Sequence, residues 1–265
     1  MFPLGVCRLR PAVPVLAGAG ILAPLIFVAG VLVAQHLHAG YDPLQQGISD
    51  LALGPGGWLQ TLTFLLTGLL LSAFALGLRT AQAASVAARC AVALLLLSGG
   101  GLLLLGLFPR DPAGAMPTWQ GAIHNRVGTS LLSLPVACLA LAAAFRRDAG
   151  WRPYRRWAGA VGVLTLLLPP AYLQALQGGP LHGWIGLLQR LLVVGPLGLV
   201  EVLASACGGR RGAGRQQGRP PRRSARNGGR NLPTARQRAS SSMTAAGGGR
   251  PHLSRPATCR LPRCL

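Results

Sequence analysis

Six apolar stretches, each about long enough to cross a bilayer, are joined by short loops whose arginines fall almost wholly on alternate sides. A helix needs ~20 mostly apolar residues to cover a hydrocarbon core ~30 Å thick. Val13–Ala34, Trp58–Leu78, Cys90–Phe108, Ile123–Phe145, Trp157–Leu176 and Gly183–Ala206 meet that length and take up most of residues 1–207. Lipid offers no water to an open backbone, so stretches of this kind fold as helices that close their own hydrogen bonds. The expected fold is all-α: a six-transmembrane-helix bundle over residues 1–207, then a disordered Arg-rich C-terminal tail over residues 208–265.

The arginine pattern sets the orientation. Basic residues near helix ends mark the cytoplasmic side. Arg8 and Arg10 precede the first stretch, Arg79 and Arg89 follow the second, and five arginines between Arg146 and Arg156 follow the fourth. Residues 36–57 and 177–182 contain none; only Arg110, beside Asp111, interrupts the alternation, with Arg126 just inside the fourth stretch. Both termini are thus expected in the cytoplasm of a multi-pass plasma-membrane protein. The first stretch is too long for the ~7–15-residue core of a signal peptide and no A-x-A-like site follows it, so it reads as a retained helix.

Charge is distributed unevenly. The chain has 26 basic residues, all of them Arg, against 5 acidic ones, and residues 208–265 carry 14 of those arginines with no acid. An argument for nucleic-acid binding therefore applies to the tail alone, which has no aromatic residue to stack on a base, and no specific nucleic acid is expected. A tail of Gly, Pro, Ser and Arg cannot bury enough apolar surface to order itself. Anionic lipid headgroups are its expected partner besides the bilayer, at roughly 1 kcal/mol per charge near the surface. The six cysteines lie outside the non-cytoplasmic loops and imply no disulfide framework.

The polar chemistry gathers at the end of the bundle opposite the termini. His36, His38, Asp42, Asp50, Asp111, His124 and His182 all fall at or beyond the outer helix ends. Arg190 lies about two turns into the sixth helix, roughly 10 Å deep, where a charge requires a partner or a hydrated cavity. Glu201 is eleven residues further on, about 16 Å along the axis and out of reach. A carboxylate from an outer loop is therefore the expected partner, with Asp111 and Asp50 ahead of Asp42; outward snorkelling of Arg190 is the alternative.

No fixed-geometry metal signature such as H-E-x-x-H surrounds the histidines, and none sits deep enough on facing helices for haem, so neither metal nor cofactor is expected. Ser49, Asp50 and His124 invite a hydrolase reading, but no G-x-S-x-G elbow surrounds Ser49. Taken singly, His124 reads as a capping or interfacial residue. A transporter would show internal symmetry and helices broken at the midplane. Only the fifth stretch, with Pro169–Pro170, is expected to be interrupted, and no repeat is evident. Gly18, Gly20, Gly68, Ser72 and Gly99–Gly101 supply the small residues on which helices pack in lipid.

Several blocks are distinctive together: Tyr41-Asp42-Pro43-Leu44, Gln46-Gly47-Ile48-Ser49-Asp50-Leu51, Gly57-Trp58-Leu59-Gln60, Phe108-Pro109-Arg110-Asp111-Pro112, Ile123-His124-Asn125-Arg126 and Gln189-Arg190. The combination resembles the bacterial membrane proteins of domain-of-unknown-function family 998, over about residues 10–207. Arg110 stands where that family more often has a small or polar residue. The resemblance implies a six-helix integral membrane protein and assigns no activity. Asp42, Ser49, Asp50, Asp111, His124, Gln189 and Arg190 are the candidate site. They suit a lipid or small polar ligand held in an outward-facing pocket; a membrane-embedded, hydrolase-like enzyme or a small transporter using the same cluster is the alternative.

Overall fold

A computed structural model describes residues 12–81, 85–147 and 151–217. Its helices are α1 (Ala12–Leu37), α2 (Gly57–Ala81), α3 (Val86–Leu107), α4 (Trp119–Gly128), α5 (Ser133–Ala144), α6 (Arg152–Leu166), α7 (Leu168–Leu176) and α8 (Ile185–Gln217). Among the described residues six segments are long and apolar enough to span a membrane: Leu16–Leu37, Gly57–Arg79, Val86–Leu107, Trp119–Ala144, Arg152–Leu176 and His182–Ala206. The last helix runs ten residues past the point where the sequence reading begins the tail; residues 218–265 lie outside the described part.

The spans pack in chain order, α1 on α2, α2 on α3, α3 on α5 and α5 on α6, and the circle closes where α8 meets both α6 and α1. Close packing uses several of the expected small residues. A Cβ on Gly68 would strike the Gly99 carbonyl of α3, one on Gly99 would strike Ser72, and one on Gly20 would strike Phe74 and Ala204. Gly18 has nothing near it and plays no such part. The ring faces lipid with leucines such as Leu22, Leu32, Leu69, Leu97 and Leu164, all exposed. Trp58, Trp119 and Trp184 are exposed at one end of the bundle and Trp157 at the other, as expected of side chains anchored at the two interfaces.

Two spans are broken. Pro169 and Pro170 cannot donate to the carbonyls of Thr165 and Leu166, and the fifth span divides into α6 and α7 at Leu167, as anticipated. The fourth span, expected to be continuous, also breaks, at a 3-10 turn over Thr129–Leu132. The cause is Pro135: its ring crowds the carbonyl of Leu131 four residues earlier and removes that carbonyl's donor. The Leu131 carbonyl accepts instead from Ser133 N–H, while the Ser133 hydroxyl lies 2.6 Å from the Ser130 carbonyl and 2.6 Å from the hydroxyl of Ser98 on α3. Regrouped bonds of this kind make a break tolerable in lipid.

The breaks lie at similar depth. Leu167 is about nine residues from the end of α7, and Thr129 is about ten from the start of α4, both roughly 15 Å at 1.5 Å per residue. Below them α5 and α6 pack firmly together. Above them α4 rests on α3, α7 rests on α8, and the two make at most marginal contact with each other. The fourth and fifth spans thus divide like the arms of a Y toward the end that carries the histidines and aspartates.

Candidate functional site

The segment between α1 and α2 folds over that end. Gly47 N–H donates to Asp50 Oδ2 at 2.7 Å, closing a short 3-10 turn over Ile48–Ala52. The turn buries Ile48 and Leu51 against the bundle. Three neighbouring residues of α8 fasten it. Gln189 Oε1 accepts from Ile48 N–H at 2.7 Å. Gly186 N–H donates to the Leu44 carbonyl at 2.8 Å, and a Cβ on Gly186 would collide with the carbonyls of Pro43 and Gln46. Arg190 is the third.

Arg190 is not held by an aspartate. Its Nη1 donates to the carbonyls of Pro43 at 2.7 Å, Gly186 at 3.0 Å and Gln46 at 3.3 Å, and its Nη2 donates to the Tyr41 hydroxyl at 2.7 Å. The guanidinium carbon sits 5.6 Å from the centre of the Tyr41 ring. The expectation of a carboxylate partner fails for a simple reason. Five fixed N–H donors can be met by a cluster of neutral oxygens, and the turn gathers several at one point. Each aspartate meanwhile has partners of its own. Asp42 accepts from Leu44 N–H and Gln45 Nε2. Asp111 accepts from both the backbone and hydroxyl of Thr118. Asp50 pairs with Arg110 at 2.6 Å.

Of the seven candidate residues, Ser49, His124 and Gln189 share a cavity of about 350 Å³; Asp42, Asp50, Asp111 and Arg190 lie outside its lining. Its apolar wall is buried: Phe27, Phe64, Leu102, Leu105, Leu131, Leu192 and Val193. Toward the outer end it is lined by Ser49, Arg110, His124, Asn125, Tyr172 and Gln189, with Thr129 at the level of the break. His124 is almost wholly buried and its Nδ1 meets the Phe108 carbonyl at 2.8 Å. A carbonyl only accepts, so Nδ1 carries a proton, and in the neutral ring the lone pair is on Nε2.

The sequence reading missed Arg110, Tyr41, Asn125, Thr129 and Tyr172. Arg110 carried a signal: it is the exception to the arginine alternation, and it sits across from the acid-bearing loop. Tyr41 and Asn125 stand in the distinctive blocks, whereas Thr129 and Tyr172 had no distinguishing spacing.

Among the described residues outside the spans, two groups have perturbed acidity. Burial pushes the Tyr41 phenol up, against the opposing hydrogen bond and charge of Arg190. The Thr118 hydroxyl and backbone hold the Asp111 carboxyl below its ordinary range.

An all-helical ring of six membrane spans with a half-apolar cavity at one end defines a multi-pass membrane protein. The chain belongs to the family described as protein of unknown function (DUF998), which it matches over residues 21–206. No curated protein and no solved structure matches it.

Proposed function

We propose that the protein binds an amphiphile, its chain against the apolar wall of the cavity and its polar head against Ser49, Arg110, His124 and Gln189. The observation that carries this reading is the division of one cavity into a buried apolar wall and a polar end. A volume of about 350 Å³ falls at the small end for ligand pockets and suits one chain rather than two. The ion pair of Arg110 with Asp50 leaves the polar end close to neutral, which favours an uncharged or zwitterionic head. The arginine bias supports both termini in the cytoplasm of the plasma membrane, and hence a pocket that faces outward.

The test is native mass spectrometry of the full chain extracted in a mild detergent. A lipid-sized adduct is expected, retained by the native protein and diminished in Arg110→Ala and Gln189→Ala. Absence of any adduct from native protein across several mild detergents would count against the reading.

One observation favours a second, hydrolase-like reading. Ser49 and His124 open on the same cavity, and a neutral His124 with its Nδ1 proton on the Phe108 carbonyl offers Nε2 as a general base. A serine-directed phosphonate probe that labels native protein but not Ser49→Ala would select it.

A further inference from the structure

We infer that the cavity is filled sideways from the bilayer, by a membrane lipid that passes its acyl chain between α4 and α7. The inference rests on the amphiphile reading above and adds the ligand's source and its route.

The end of the bundle is the obstructed direction. Ile48 and Leu51 are 2% and 1% exposed beneath the turn that covers it. Gln189 holds the turn through Ile48 N–H, and Arg110 holds it through Asp50. The side is open. Four residues that line the cavity are exposed, and they face one another across the gap between the two arms: Asn125 and Thr129 on the α4 side, Leu173 and Leu176 on α7. The wall facing them is closed, with Leu102 fully buried and Leu105 and Phe27 nearly so.

The height of this opening identifies what lies against it. It runs from the outer end of α4 and α7 down to the breaks at Thr129 and Leu167, about 15 Å at 1.5 Å per residue, or half of a ~30 Å hydrocarbon core. That is the depth of one leaflet. What an opening of this height meets is the acyl chain of a lipid standing in that leaflet, while the head stays level with Asn125, His124 and Arg110. The same prolines that break the spans, Pro135 in the fourth and Pro169 with Pro170 in the fifth, account for the slot: they separate the upper halves and leave α5 and α6 sealed below.

The experiment uses the full chain in phosphatidylcholine vesicles containing a small fraction of phosphatidylcholine with a photoactivatable diazirine in one acyl chain. After illumination, adducts are mapped by mass spectrometry. Native protein should carry them on the buried wall at Leu102 and Leu105 as well as on Leu173 and Leu176. Thr129→Trp and Leu173→Trp put a large side chain in the slot at exposed positions, and the wall adducts should be lost. Leu164→Trp, exposed on α6 away from the slot, should keep them. Leu176→Trp replaces either slot variant if its melting shows that it has not folded.

Wall labelling that survives in the folded slot variants would overturn sideways access and leave the amphiphile reading standing, with the end of the bundle as the route. Wall labelling absent from the native protein itself, with adducts only on lipid-facing leucines, would remove both.

Discussion

Arg190 lies over the ring of Tyr41 and donates to its hydroxyl at 2.7 Å, so this charge within the sixth span is matched by neutral oxygens. The partners determine how substitution should behave. Arg190→Leu removes the donor to the Pro43 carbonyl, leaves that of Gln46 with the Tyr41 hydroxyl alone, and loses a charged hydrogen-bond set worth roughly 1.5–3 kcal/mol for each bond made. In thermal or denaturant unfolding of detergent-solubilised protein, a double-mutant cycle should show coupling of about 0.5–3 kcal/mol between Arg190→Leu and Tyr41→Phe. Cycles with Asp42→Asn and Asp111→Asn should be additive. Strong coupling to either aspartate would contradict the assignment.

The Tyr41 phenol gives the same contact a pH signature. Its acidity is weakened by burial, above an ordinary value near 10. A raised value in the folded state means that this contribution to stability is complete below the unfolded value and is lost as pH climbs through the folded one. The phenolate absorbance of native protein minus that of Tyr41→Phe should therefore rise at higher pH than free tyrosine. A rise at or below the free value would show that the Arg190 hydrogen bond outweighs burial.

Asp111 behaves in the opposite sense. Its carboxyl is held below its ordinary range by Thr118, so its contribution is present above the unfolded value and lost as pH falls through the folded one. Thr118→Val removes the hydroxyl while keeping the backbone donor. Carboxyl carbon shifts followed by NMR should show Asp111 titrating nearer to its ordinary value in Thr118→Val than in native protein. An unchanged titration would mean that the backbone bond alone sets it.

Gly186 should tolerate no side chain. Its Cβ would fall among the carbonyls of Pro43, Leu44 and Gln46, backbone atoms that cannot turn aside. Gly186→Ala is expected to cost about 1–3 kcal/mol, the usual range for overpacking. The turn should also loosen, which faster hydrogen exchange at Ile48 N–H would reveal. Gly183→Ala, with nothing within 4 Å of its Cβ, is the control and should leave both unchanged.

Membrane orientation is tested by cysteines in a background cleared of native thiols. Met116→Cys at 85% exposure and Val86→Cys at 66% lie at opposite ends of the ring. An impermeant maleimide on intact cells should label the first and spare the second. The reverse result, or labelling of both, would refute cytoplasmic termini.

The spans were legible because length and apolarity are all that a bilayer demands. Their edges were less so: α4 starts at Trp119, four residues before the apolar window, because the Thr118 hydroxyl caps it by accepting from Gly121 N–H. The break at Thr129 escaped notice because a proline acts four residues upstream of its own position, and nothing at Thr129–Leu132 betrays it. Arg190's surroundings were illegible for a deeper reason. Carbonyl oxygens belong to every residue alike, so a site built of them has no letter in the sequence. The clustering of polar side chains at one end was visible, but whether a residue such as Gln189 serves the cavity or the turn, and it serves both, depends on folded geometry.

The closure of the ring has a topological consequence. Because α1 lies against α8, with Gly20 beside Ala204, the two ends of the membrane domain leave it side by side on one face. A short linker could join them without disturbing any span, and new ends could be cut in the exposed loop around Gly114 and Met116. The order of the helices along the chain would change while their neighbours stayed the same; the bundle behaves as a circle that the gene happens to open between its sixth and first members.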